Sequence, residues 1–162
     1  FMLQYLSEDR EIIGIDYDAE KIEIAKNCAA KGPNLEFLAG DITTIDLPKA
    51  DSFVLLDILH YLPKEKQGIV LNRVFSKLND GGIVIVRDAD SSLKKRTIGT
   101  KITEFFSTKI LKYNKTEHDL VFVSRDFIID VSKQNNMEVE IVDQTRRTSN
   151  VIYLIKRFKS VG

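Results

Sequence analysis

Three acidic residues stand where short apolar runs stop. Asp16 closes Ile12-Ile13-Gly14-Ile15, Asp41 follows the run Leu35 to Gly40, and Asp57 ends Ser52-Phe53-Val54-Leu55-Leu56. In an open parallel sheet, ligands bind outside the carboxyl ends of the strands, and an acid there can accept hydrogen bonds from both hydroxyls of a ribose. Charge-assisted bonds of that kind contribute about 1.5–3 kcal/mol each. Asp16, taken alone, reads better as a loop carboxylate with no ligand, since acids are common in such turns; the recurrence gives the pattern its weight. A fourth apolar run, Ile83 to Val86, ends in Arg87-Asp88. That pair stands where a substrate would be met, although the two charges could also simply pair with each other on the surface.

The elements that must position these residues alternate along the chain. Ile12, Ile13 and Ile15 suit a strand buried on both faces, with Gly14 leaving room for close backbone approach. Asp18 is placed to cap a helix with Glu20 in its first turn and Ile22, Ala25, Cys28 and Ala29 on the packing face. Gly32-Pro33-Asn34 turns the chain into a second strand, Leu35 to Ala39, and a loop through Pro48 leads to a third at Ser52 to Leu56. Pro63 suits a first helical position, and Leu71, Val74, Phe75 and Leu78 then share one helical face until Asn79-Asp80-Gly81-Gly82 stops it. Strands and helices in this order predict a parallel sheet with right-handed crossovers.

The alternation breaks between Ala89 and Glu117, where a helix is expected over Ile98 to Leu111. Ser124 can cap a further helix through Asn135, packed by Phe127, Ile128 and Val131. Met137 to Val142 and Val151 to Ile155 are strand-like and joined by a loop too short for a helical crossover, so they should be antiparallel. The first ten residues read as the end of a helix.

A chain of 162 residues with 43% apolar and 30% charged content suits one soluble domain over 1–162. No apolar run approaches 18 residues and there is a single cysteine, which points to a reducing cytoplasm. Basic and acidic residues balance at 24 each, giving no overall pull toward nucleic acid. The balance is uneven along the chain: from Lys94 to Lys115 seven basic residues stand against Glu104 alone. There is no zinc-ligand cluster, no phosphate-loop lysine motif and no nucleophile-elbow serine.

Over nearly its whole length the chain resembles the class I S-adenosylmethionine-dependent methyltransferases. Gly14-Ile15-Asp16-Tyr17-Asp18 is similar to that family's second-strand motif, Gly40-Asp41-Ile42 to its third, and Asp57-Ile58-Leu59-His60-Tyr61-Leu62 to its fourth. Leu78 to Gly82 resembles the turn before the fifth strand, and the closing antiparallel pair separates the family from dinucleotide-binding folds. The resemblance implies an α/β, Rossmann-like, mostly parallel sheet with a C-terminal antiparallel hairpin, and S-adenosylmethionine as cofactor. It puts Asp16 on the ribose, Tyr17 near the adenine, Asp41 on the adenine amino group with the Ile42 backbone beside a ring nitrogen, and Asp57 and Ile58 along the methionine end. The three acids are thus expected to outline one bound methyl donor.

The family's first strand and glycine-rich loop would fall ahead of Phe1, so the chain is expected to be part of something longer, with strand edges left unsatisfied and a molten state if made alone. Arg87 to Asp90, Glu104 to Thr108 and Thr148 to Asn150 also resemble methyltransferase domains at the end of larger bacterial envelope-lipid polypeptides, which implies membrane proximity through fused upstream domains. Methyl transfer from a sulfonium needs chiefly an acceptor held in line. For a hydroxyl acceptor, His60 or Asp88 is the nearest candidate base, although His60 reads equally well as a helix-entry residue bonded to backbone. His118 is expected to be solvated. The segment 89–117 reads either as a lid, with Phe105, Phe106 and Tyr113 against a small-molecule or lipid-like acceptor beside Arg87, or as a solvated amphipathic helix. A nicotinamide-dependent oxidoreductase and a catalytically silent interaction module are the competing functions. The former has no need of Gly40-Asp41 or the hairpin.

Overall fold

The structure is a computed structural model that describes residues 3, 9–28, 32–90, 121–142 and 150–158. The chain falls into two compact units, Phe1–Asp46 and Leu47–Gly162, described here in turn. The expected helix over 98–111 and the basic run 94–115 lie outside the described residues, as does the expected helix end over 1–10 apart from residues 3, 9 and 10.

In the first unit, strand β1 (Ile12–Asp16), helix α1 (Ala19–Lys26) and strand β2 (Leu35–Ala39) form a right-order βαβ piece, with β1 and β2 parallel. Asp18 caps α1 as expected: its Oδ1 accepts from the Glu20 and Lys21 backbone N–H groups at 3.0 and 3.3 Å, satisfying two donors that the first helical turn leaves open. Ile22 is the fully buried anchor of the helix, packed toward β1 and β2. Two expectations for β1 are corrected. The strand is not buried on both faces, since Ile13 is 41% exposed; among the described residues β1 has one strand partner and one covering helix. Nor does Gly14 make room for an approaching backbone, because the Phe37 ring, its register partner, fills that space.

The second unit is a four-stranded sheet in the order β3-β4-β6-β5. Its strands are β3 (Ala50–Leu56), β4 (Leu78–Ala89), β5 (Met137–Val142) and β6 (Asn150–Arg157). β3 and β4 are parallel, while β6 runs antiparallel to both β4 and β5. The predicted closing hairpin is therefore present. Helix α2 (Lys64–Lys77) packs on β4, and helix α3 (Arg125–Gln134), capped by Ser124 Oγ on the Phe127 N–H at 3.2 Å, packs on β5. Pro63 is the residue before the first helical turn of α2 rather than its first member. The stop signal at 79–82 is not a free loop: β4 begins at Leu78, and a bulge opposite Ala50 to Ser52 absorbs the extra residues. Gly81 sits at φ +77°, and a Cβ on Gly82 would meet the Asp51 and Asn79 carbonyl oxygens at 2.7 and 2.9 Å.

Period-two alternation then decides where the β4 side chains go. Val84, Val86, Asp88 and, one step past the strand, Asp90 are buried, while Ile85, Arg87 and Ala89 lie on the other, half-covered side. Val151, Tyr153 and Ile155 of β6 continue the buried surface, with Val70, Leu71, Val74 and Phe75 of α2 in the core beside them. No helix among the described residues is long and apolar enough to cross a membrane.

Candidate functional site

The buried face of β4 brings a carboxylate into the interior, and a carboxylate there must be given hydrogen bonds. Asp88 is 1% exposed and receives them on both oxygens. Its Oδ2 accepts from the backbone N–H groups of Leu59 and His60 at 3.0 and 3.3 Å, and Oδ1 accepts from the Ala89 N–H at 2.8 Å. Oδ1 also lies 2.7 Å from Nδ1 of His60. Leu59–Tyr61 is one 3₁₀ turn directly after β3, so the acid holds that turn by its backbone and by its ring together.

This contact sets the histidine's chemistry. A neutral imidazole donating Nδ1–H to a carboxylate carries its lone pair on Nε2. Nδ1 makes the ring's one hydrogen bond among the described residues, so Nε2 is left for another partner. The ring is flanked by Tyr61, with centroids 4.2 Å apart, and by Phe122 at 6.1 Å, and His60 is only 9% exposed. The structure thus joins the two residues that sequence offered as alternative bases. The idea that Arg87 and Asp88 pair with each other on the surface is corrected: they point to opposite faces of β4, as adjacent strand residues must.

Arg87 instead donates from Nη1 to Oδ2 of Asp57 at 2.9 Å, both side chains being about two-fifths exposed. Asp57 has φ 53°, the left-handed conformation that swings the chain from β3 into the turn carrying His60, and its N–H donates to the Arg87 carbonyl at 2.8 Å. The candidate methionine-side acid and the candidate substrate-side cation therefore hold each other. Ile58, next to it, accepts from the Tyr61 N–H at 3.2 Å through its carbonyl.

In the first unit, Asp16 stands exposed at the carboxyl end of β1, and its Oδ1 accepts from the Asp18 N–H at 2.9 Å. Oδ2 has no partner among the described residues. Tyr17 is 75% exposed beside it. Gly40 donates its N–H to the Asp16 carbonyl at 3.0 Å, which brings the second- and third-strand motifs together at one end of the β1-β2 pair. Asp41 is more engaged than expected: Oδ1 accepts from both the Thr43 N–H (2.8 Å) and its hydroxyl (2.7 Å). The Ile42 N–H makes no hydrogen bond to the described residues.

Phe105, Phe106, Tyr113 and His118, with most of the 89–117 segment, lie outside the described residues. Among the buried polar groups that escaped the sequence reading are Asp90 and Gln67. Asp90, with its side chain fully covered, accepts from Arg125 Nε at 2.7 Å. Gln67 is 1% exposed inside the apolar stripe of α2. Both were visible in principle as polar residues in phase with apolar ones, Asp90 with Val84 and Val86, and Gln67 with Val70, Leu71 and Val74. No group of three or more His, Cys, Asp or Glu among the described residues could hold a metal ion.

A family model described as a methyltransferase domain matches residues 1–149. O-methyltransferase 12 of Dictyostelium discoideum is 27% identical over 167 residues, covering 91% of this chain and 44% of that protein. A carboxy-S-adenosyl-L-methionine synthase of Campylobacter jejuni is 28% identical over 101 residues, covering 59% of this chain and 43% of its own length. The chain thus spans less than half the length of these relatives. Among solved structures, human N-acetylserotonin methyltransferase in complex with SAM superposes with a TM-score of 0.69 at 18% identity, over 96% of this chain and 43% of that one, and it shares the fold.

Proposed function

The chain belongs to the methyltransferase-domain family, and on that premise we propose that it moves the methyl group of S-adenosylmethionine onto a hydroxyl of a small-molecule acceptor, with His60 as the base. When bound, S-adenosylmethionine supplies a methyl carbon on a sulfonium sulfur, and the C–S bond breaks with its electron pair left on sulfur. Everything else falls to this chain's residues. Asp16 Oδ2 would hold the ribose hydroxyls, Tyr17 would offer an aromatic face to the adenine, and the Ile42 N–H would serve a ring nitrogen. His60 Nε2 takes the acceptor's hydroxyl proton as the oxygen bonds carbon. Asp88 keeps the Nδ1–H tautomer in place and stabilises the imidazolium that results, the arrangement in which a carboxylate orients a histidine base.

The buried His60–Asp88 contact of 2.7 Å carries this reading, because a methyl transfer needing only positioning has no use for an oriented imidazole. The test uses the full-length protein and S-adenosylmethionine labelled on its methyl group, with phenol and catechol as acceptors and aniline as the matched acceptor lacking a hydroxyl. Transfer to the phenols should fall about 10²- to 10⁴-fold in His60→Gln, with cofactor affinity unchanged. Transfer that survives in His60→Gln, or that goes to aniline alone, overturns the assignment. Failure to bind S-adenosylmethionine at all would instead favour a silent interaction module.

A further inference from the structure

Gln67 occupies position four of α2, where the helical stripe formed with Val70, Leu71 and Val74 calls for an apolar side chain, yet it is a primary amide with 1% of its surface exposed. A buried amide of this kind is tolerated only if it is bonded. Its Nε2 lies within reach of three carbonyls: Leu59 at 3.1 Å, Leu62 at 3.0 Å and Val121 at 2.6 Å. Two hydrogens serve three acceptors, so one is shared. Leu59 and Leu62 bracket His60, and the Val121 N–H donates back to the His60 carbonyl at 2.9 Å.

The turn bearing His60 is therefore held from two sides by side chains of opposite character. Asp88, an acceptor, collects the N–H groups of Leu59 and His60; Gln67, a donor, collects the carbonyls of Leu59 and Leu62. A 3₁₀ turn of three residues has little internal hydrogen bonding to fix its orientation, so these tethers determine where its ring points. We propose that Gln67 is the positioning residue for His60, locking the turn to the chain at Val121 so that Nδ1 stays on Asp88 and Nε2 stays presented. This rests on the reading of His60 as the base. A glutamate, nearly identical in shape, would set acceptor against acceptor, and a methionine would remove the donor that joins the three carbonyls, leaving Leu59 with only the Leu62 N–H at 2.9 Å.

The experiment compares Gln67→Met and Gln67→Glu with the wild type in the full-length protein, using histidine labelled with ¹⁵N in the ring and the His60 signals assigned by their loss in His60→Gln. The wild type should show one sharp set with the proton on Nδ1. Both variants should show averaged or broadened ring signals while keeping a folded circular dichroism spectrum, and methyl transfer to phenol should drop about ten- to a hundredfold in kcat with the KM for S-adenosylmethionine unchanged. An unaltered Nδ1–H tautomer in both variants overturns the proposal. So does loss of the folded state in both, which would make Gln67 a stability residue alone. A tautomer change with no change in transfer upholds Gln67's hold on the ring and removes His60 from the role of base, so the two failures are told apart.

Discussion

Gly14 on β1 and Phe37 on β2 are register partners, and the Phe37 ring lies where a side chain at position 14 would go: a Cβ there would meet Phe37 Cδ1 at 2.7 Å and Cε1 at 2.8 Å. A glycine inside a strand normally weakens it, so here the aromatic ring of the neighbouring strand supplies the missing packing. Gly14→Ala should lower the unfolding free energy by about 1–3 kcal/mol through overpacking. Phe37→Leu in the same chain should recover much of that loss. Denaturant melts of the single and double variants decide it, and additivity of the two changes would show that the ring is not what excludes a side chain.

Two acids at the start of α1 have separate duties and should separate in experiment. Asp18 caps the helix, so Asp18→Ala should cost about 1 kcal/mol of stability and leave S-adenosylmethionine affinity alone. Under the proposed function Asp16 takes the ribose on its second oxygen, so Asp16→Ala should weaken cofactor binding by about 2–4 kcal/mol if two ribose bonds are lost. Titration calorimetry and thermal melts on both variants check the pair.

The Asp57–Arg87 ion pair is about two-fifths exposed on each side and bridges the ends of β3 and β4. A double-mutant cycle of Asp57→Ala and Arg87→Ala should give a coupling of about 0.2–1 kcal/mol, shrinking as salt is raised. A cycle in the presence of S-adenosylmethionine that gives a different coupling would show that the cofactor competes for Asp57.

At the start of α3, Ser124 Oγ accepts a single backbone bond. Ser124→Ala should destabilise by about 0.5–2 kcal/mol, whereas Ser124→Asp should preserve the cap and favour the helix dipole. Urea unfolding monitored by circular dichroism measures both.

Much of the local structure could be read from residue order. Asp18 and Ser124 cap because a short polar side chain ahead of an apolar-periodic segment has open N–H groups to satisfy, and the polar loop Asp143 to Asn150 is too short for a crossover helix. The placement of Asp16 at a strand's carboxyl end follows from the same local reasoning. What could not be read was exposure and partnership. The exposure of Ile13 at 41%, and the bulge that carries β4 back to Leu78, depend on which neighbours a strand acquires.

Chain order alone determined the αβ alternation, the antiparallel close and the acids at strand ends, since each is a matter of nearest neighbours and period. Tertiary structure decided which buried polar groups meet: Asp88 meets His60 across a separation of 28 residues, and Gln67 reaches Val121 across 54. Those meetings arise because buried polar atoms must be bonded to whatever the packed sheet and helix bring within about 3 Å, and no local pattern specifies that partner.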